Sequence, residues 1–333
     1  MFYEKLENRK VQCHLCAHQC NISDGNFGVC GVRQNMGGTL YTRSYGATIA
    51  RNVDPIEKKP LYHFLPGTLA FSIATIGCNF RCGFCQNWQI SQVSPGRDPE
   101  ADRGSPRTPE ELVAEAGRRR CASIAYTYTE PTIFFEYALD TAALAAESGI
   151  RNIFVTNGYM SGRALEEIAP YLDAANVDLK AWNRDYYKRL CKARLDPVLE
   201  TIRHMKALGI WLEITTLLIP GENDAPGEIE GLTHFLAEAG VGIPWHISRF
   251  HPDYRLSDHR MTPLRTLERA AEIGKRAGLR YIYLGNVPAD NDTRCYKCGK
   301  TMVRRGSTGH GASVNLQGGR CPSCGAVIEG RWK

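Results

Sequence analysis

The chain has 333 residues, 43% apolar and 23% charged, which is enough apolar surface for a sizeable core and excludes wholesale disorder. Its formal net charge of +6 suits acidic partners, such as small electron-carrier proteins, without demanding nucleic acid. No run approaches the roughly 18–20 apolar residues of a membrane span, and residues 1–10 are charged and lack an apolar export signal, so a cytoplasmic protein without membrane association is expected.

Residues 1–66 carry the first of three cysteine clusters, Cys13-x2-Cys16-x3-Cys20-x9-Cys30. Clustered thiols in a chain without an export signal read as metal ligands rather than disulfides. These four form one metal-binding segment, with His14 and His18 as alternative donors. The intervals resemble a zinc knuckle, and a second iron–sulfur cluster is the rival.

From residue 67 to 288 short apolar runs alternate with amphipathic stretches. Strands are predicted over 69–76, 122–126, 152–155, 176–179, 211–218, 245–247 and 281–284. The first helix starts at Pro109: Thr108 can cap it, proline suits its first turn, and Glu111 completes a capping box. Further helices are predicted over 132–147, 162–168, 197–208, 227–239 and 263–277. Strictly alternating strands and helices imply α/β architecture with a parallel sheet, here a partial (β/α)6-type barrel. A flat doubly wound sheet is the alternative. The Pro-, Gly- and charge-rich stretch 91–108 reads as a solvated linker, or as a lid if it borders a site.

In barrels, chemistry sits at the C-terminal ends of the strands. Directly after the first strand comes Cys78-x3-Cys82-x2-Cys85. Three thiolates at this spacing suit a 4Fe–4S cluster with one iron left open to a small molecule. A three-ligand zinc site is the rival, disfavoured because structural zinc takes four ligands. Glu130 follows the second strand and Thr156-Asn157-Gly158 ends the third. Asp178 and Lys180 end the fourth on one side of the chain, as period-two alternation requires. His246 lies on the sixth.

Residues 289–333 hold Cys295-x2-Cys298 and Cys321-x2-Cys324, each pair followed by a glycine, Gly299 or Gly325, that permits a tight turn. Two such knuckles read as a zinc ribbon. Its simplest job is a structural clip, with substrate docking second. Cys121 reads as a small buried hydrophobe, and Cys191 is given no role.

The C-x3-C-x2-C loop, with Phe84 in its aromatic slot, resembles the hallmark of the radical S-adenosylmethionine (SAM) superfamily. Gln86-Asn87 after it resembles the pyruvate formate-lyase activating enzyme group. With both flanking clusters, residues 54–64 and Leu284-Gly285-Asn286-Val287-Pro288, the whole chain resembles the AmmeMemoRadiSam-system radical SAM proteins. The resemblance implies a 4Fe–4S cluster on Cys78, Cys82 and Cys85. It implies reductive cleavage of SAM to a 5′-deoxyadenosyl radical, and hydrogen abstraction from an unidentified, macromolecular substrate. It also implies SAM contacts from Phe84, Glu130, Thr156, Asn157, Asp178, Lys180 and His246. Expected partners are a flavodoxin- or ferredoxin-like reductant and Memo-type and AMMECR-type proteins. One departure stands out: Tyr128-Thr129 occupy the place of two glycines that precede the family's glutamate.

Overall fold

The computed structural model describes residues 1–96, 98, 104–306 and 311–333. Residues 97 and 99–103, within the 91–108 stretch, lie outside it. Every predicted strand of the central region forms, and all seven join one sheet. We number its strands β1 (Ala50–Pro55), β2 (Leu69–Ala74), β3 (Ser123–Tyr126), β4 (Arg151–Thr156), β5 (Ala174–Asp178), β6 (Trp211–Leu218), β7 (Trp245–Arg249) and β8 (Ile282–Gly285). They lie side by side in chain order. Strands β2 to β8 are parallel, and β1 pairs antiparallel with β2 at the edge.

The crossovers are α1 (Pro109–Arg118), α2 (Phe135–Glu147), α3 (Gly162–Ile168), α4 (Asp196–Ala207), α5 (Pro226–Gly240) and α6 (Leu264–Arg276). Each β-to-α unit returns to the neighbouring strand, so the sheet curls into most of a barrel whose ends β1 and β8 do not pair among the described residues. Helix α1 starts as its sequence dictates: the Thr108 hydroxyl accepts from Glu111 N at 3.3 Å, and the Glu111 carboxylate accepts from Thr108 N at 3.0 Å. Strand β3 is buried on both faces, as a covered parallel sheet requires. Among the described residues no helix is long and apolar enough to cross a membrane.

The N-terminal mouth of the barrel is closed by the connection from β1 to β2. Ile56, Leu61 and Phe64 pack beneath the sheet with Ala70, Ala125, Ile153 and Ala174. Beside them is a polar knot. Glu213, on β6 and 0% exposed, accepts from Tyr62 N (2.9 Å), His63 N (2.7 Å) and Trp211 Nε1 (3.1 Å), and pairs with His246 Nε2 at 2.7 Å. His63 Nε2 lies 2.6 Å from the Tyr283 hydroxyl, and its Nδ1 donates to the Glu329 carbonyl at 2.6 Å.

Burial pushes the His63 pKa down to about 4, against the pull of Glu213. The unfolded histidine titrates near 6.5, so between pH 6.5 and 4 the unfolded chain holds a proton that the folded chain lacks. The contribution to stability is therefore full above pH 6.5 and is lost as pH falls through that window, by about 3 kcal/mol. Urea unfolding at pH 7 and pH 4.5 should show this loss, and His63→Gln should flatten it. An equally steep loss in the variant would remove His63 as its source.

The C-terminal segment folds as three short antiparallel strands, Thr293–Arg294, Thr301–Arg305 and Ala312–Val314. Met302 and Ile328 pack on Tyr281 and Tyr283 of the barrel. Leu65 N donates to Arg331 O at 2.8 Å, and Arg331 N to His63 O at 2.7 Å.

Candidate active site

At the opposite mouth, a cleft of about 310 Å³ opens over the C-terminal ends of the strands, which is within the range of small-ligand sites. Cys78, Cys82, Cys85, Phe84, Glu130, Thr156, Asn157, Asp178 and Lys180 all line it. These residues come from four separate stretches of the sequence, so their convergence is a product of the fold.

The cysteine loop is fixed from two sides. Gly77 precedes it with φ of +96°, and a β-carbon there would meet Cys30 O at 3.1 Å and Val32 Cγ1 at 3.0 Å, so glycine is required. On its other side, residues 187–191 form one π-helical turn, whose terminal carbonyls the loop satisfies. Arg81 N donates to Cys191 O at 2.9 Å, and Gly83 N to Leu190 O at 3.0 Å. The Cys191 thiol is fully buried and lies beside Cys82. Its sequence surroundings gave no hint of this; only the π turn brings it to the loop. Burial and neighbouring negative groups raise the Cys78 and Cys85 thiols, and the adjacent Cys191 thiol together with burial raises Cys82. Lys180 opposes the shift at Cys82 and Cys85.

Glu130 ties the ends of β3 and β4 together. Its Oε1 accepts from Thr132 N (3.1 Å), the Thr132 hydroxyl (2.5 Å) and the Thr156 hydroxyl (2.7 Å), and its Oε2 from Asn157 N at 2.8 Å. Burial pushes its pKa up, and these donors pull it back down. Asn157 in turn donates to Asn79 Oδ1 at 2.7 Å, reaching the cysteine loop.

Tyr128 has φ of +61°, the left-handed conformation that glycine adopts freely and a bulky residue adopts at a cost. The backbone shape expected of a glycine is thus kept with a tyrosine in place. The side chain is held hard: its hydroxyl donates to Asp54 Oδ2 at 2.6 Å, and Lys59 Nζ lies 4.5 Å from the ring centroid. Lys59 also pairs with Asp54 at 2.8 Å, and both Lys59 and Tyr128 line the cleft.

Lys180 Nζ donates to Asp178 Oδ2 at 2.8 Å and sits 5.7 Å from the Phe84 ring centroid. Burial opposes its charge; Asp178 and the nearby thiols more than restore it. The expected pairing across one side of the strand is therefore present, with both groups facing the cleft.

His246 is placed elsewhere. It points into the barrel one layer below Ser248, which lines the cleft, and its imidazole is bound to Glu213 in the polar knot. The resemblance that implied a SAM contact for His246 carries no information on its depth in the barrel. Sequence reasoning gave no site role to Lys59, Asn87, Thr215, Ser248 and Asn286, which line the cleft; Lys59, Asn87 and Asn286 lie in stretches that carry the family resemblance, but nothing in those stretches singles out one side chain.

The flanking clusters differ in geometry. The sulfurs of Cys295, Cys298, Cys321 and Cys324 all lie within 4.8 Å of one another, with Cys295 to Cys324 and Cys298 to Cys321 both at 3.6 Å. Gly299 and Gly325, at φ of +72° and +71°, turn the two knuckles alike. This set fits one metal ion. Cys13, Cys16, Cys20 and Cys30 line a separate cavity.

The family model described as the radical SAM superfamily matches residues 72–235. An uncharacterized protein of Methanocaldococcus jannaschii is 45% identical over 334 residues, which is 99% of this chain and 98% of that one. The 4-hydroxyphenylacetate decarboxylase activating enzyme of Clostridium scatologenes is 22% identical over 176 residues, 52% of this chain and 55% of that enzyme. A solved radical SAM methyltransferase from Sphaerobacter thermophilus shares the fold, with a TM-score of 0.52 at 18% identity over 66% of each chain. The matched stretch contains the cysteine loop and the strand ends that converge on the cleft, and the chain belongs to the radical SAM superfamily as an enzyme of that class, related to the activating enzymes.

Proposed function

We propose that the chain cleaves SAM reductively in this cleft and uses the product to take hydrogen from a macromolecular substrate. The observation that carries this reading is the convergence of Cys78, Cys82 and Cys85 with Glu130, Asp178 and Lys180 around one space. When bound there, a 4Fe–4S cluster and SAM supply one-electron cleavage to methionine and a 5′-deoxyadenosyl radical.

The chain's own residues position and protect. The three thiolates hold the cluster, and Phe84 shields it. Lys180 offers a cation to the methionine carboxylate, and Asp178 faces the ribose hydroxyls. Glu130, already holding Thr156 and Asn157, orders the backbone that receives the amino group. The floor of the barrel excludes water from below. A low-potential carrier of the flavodoxin or ferredoxin kind supplies the electron, and the +6 net charge favours such acidic proteins. Memo-type and AMMECR-type proteins are the proposed partners. Zinc is the proposed ion of the C-terminal ribbon, where it would hold the Cys295–Cys298 and Cys321–Cys324 knuckles together.

The test is anaerobic. Protein reconstituted with iron and sulfide receives SAM and a strong reductant, and the nucleosides are separated. 5′-Deoxyadenosine supports the reading. Methylthioadenosine as the main product would replace hydrogen abstraction by transfer of an aminocarboxypropyl group. Neither product from a loaded, reduced protein would refute SAM cleavage.

Lys180→Ala should raise the KM for SAM by about 10- to 100-fold, the worth of one charged hydrogen bond of about 1.5–3 kcal/mol. The kcat should change less. An unchanged KM would make the Lys180–Asp178 pair a structural one.

A further inference from the structure

Cys13, Cys16, Cys20 and Cys30 line one small cavity that the proposed reaction does not use. Leu15, Ile22 and Ile133 supply apolar wall beside the polar side chains of His18, Arg33 and Thr132. Two features separate it from the C-terminal cysteine group.

The first is sulfur spacing. Four thiolates at roughly 2.3 Å from one zinc ion stand about 3.8 Å apart, close to the 3.6 Å seen in the ribbon. Among the described residues, the metal-sized group gathered within 4.8 Å is that of Cys295, Cys298, Cys321 and Cys324; it includes neither the N-terminal sulfurs nor those of Cys78, Cys82 and Cys85. Thiols held apart around a void match a polynuclear centre and would have to collapse inward to share one ion.

The second is Arg33. It lines this cavity, is 4% exposed, and pairs with Glu136 through one end of its guanidinium. Its Nε is buried without a partner. A buried cation with an unused donor facing four thiols is matched by an anionic group between them. The backbone adds a further donor, since Val29 N lies 3.5 Å from Cys20 Sγ.

We propose that Cys13, Cys16, Cys20 and Cys30 hold a polynuclear iron–sulfur cluster rather than zinc, with Arg33 balancing its charge. This second centre backs directly onto the first. His18 Nε2 lies 2.8 Å from Asn79 O, and Arg81 bridges Cys78 O at 2.7 Å to the carbonyl of Val29. The inference does not depend on SAM cleavage.

The full chain, reconstituted anaerobically, is assayed for iron, sulfide and zinc. Iron and sulfide beyond the four of one cubane, with a single zinc per chain, is the expected result; about four iron and two zinc would overturn the proposal. The triple variant Cys78→Ala, Cys82→Ala, Cys85→Ala should keep a reducible cluster with its own paramagnetic signal, whereas a folded variant without iron would overturn the assignment. Should that variant not fold, the metal count of the unaltered chain decides. In the triple-variant background, Arg33→Gln should lower the midpoint potential of the remaining cluster, because the cation favours the added electron, and Arg33→Lys should restore most of it. A midpoint unmoved by Arg33→Gln would take Arg33 out of the site.

Discussion

Cys82→Ala should leave a folded chain that no longer cleaves SAM, with the rate down on the order of 10³-fold or more, equivalent to at least about 4 kcal/mol of barrier. Cys82 is 7% exposed and packed between Cys191 and the cleft. Alanine removes one sulfur atom from that spot, so the void is small and the fold loses little. What is lost is one of three ligands to a centre that has none to spare. The controls follow from position. Cys121→Ala changes a thiol buried at the sheet's far side, and Cys191→Ala removes a neighbour of the cluster but no ligand. Both should retain iron. Thermal unfolding and iron content, measured on the same sample as nucleoside release, separate loss of ligand from loss of structure. A Cys82→Ala protein that still releases 5′-deoxyadenosine would break the assignment of the loop.

Glu213→Ala should cost about 3–5 kcal/mol of stability, a large share of what a domain has in reserve. The carboxylate is fully buried and receives two backbone N–H groups, an indole N–H and an imidazole. Burial alone would raise its pKa, but His246, His63 and the backbone donors hold it below the ordinary glutamate value. Removing it leaves four donors facing an apolar floor, each with a desolvation cost. Glu213→Gln keeps the shape but offers a single acceptor oxygen, and should recover only part of the loss. Because the knot lies at the mouth opposite the cleft, the KM for SAM in the folded fraction should stay near that of the unaltered chain. Equal stability in Glu213→Ala, read from urea midpoints, would refute the account of the floor.

The barrel was legible because its signals are local. Alternating apolar runs and the Thr108–Glu111 box are each written in a few adjacent residues. The cysteine loop was legible for the same reason, as were Glu130, Asp178 and Lys180 once they were seen at strand ends. Depth was not. His246 and Ser248 share a face of β7, and only the three-dimensional layer decides that Ser248 meets the cleft while His246 meets Glu213. Cys191 was hidden because the π turn that carries it has no strong sequence mark. Helix α2 begins later than the sequence suggests: Pro131–Phe134 forms a 3-10 turn first, where Glu130 accepts from Thr132.

The knot under the barrel also has a consequence in time. His63 lies near the start of the chain, yet its Nδ1 partner, the Glu329 carbonyl, is 266 residues further along. During synthesis at roughly 5–20 residues per second, the floor cannot close for many seconds after β1 and β2 have emerged. The last turn of the ribbon thus acts as a latch on a barrel whose strands are made long before it.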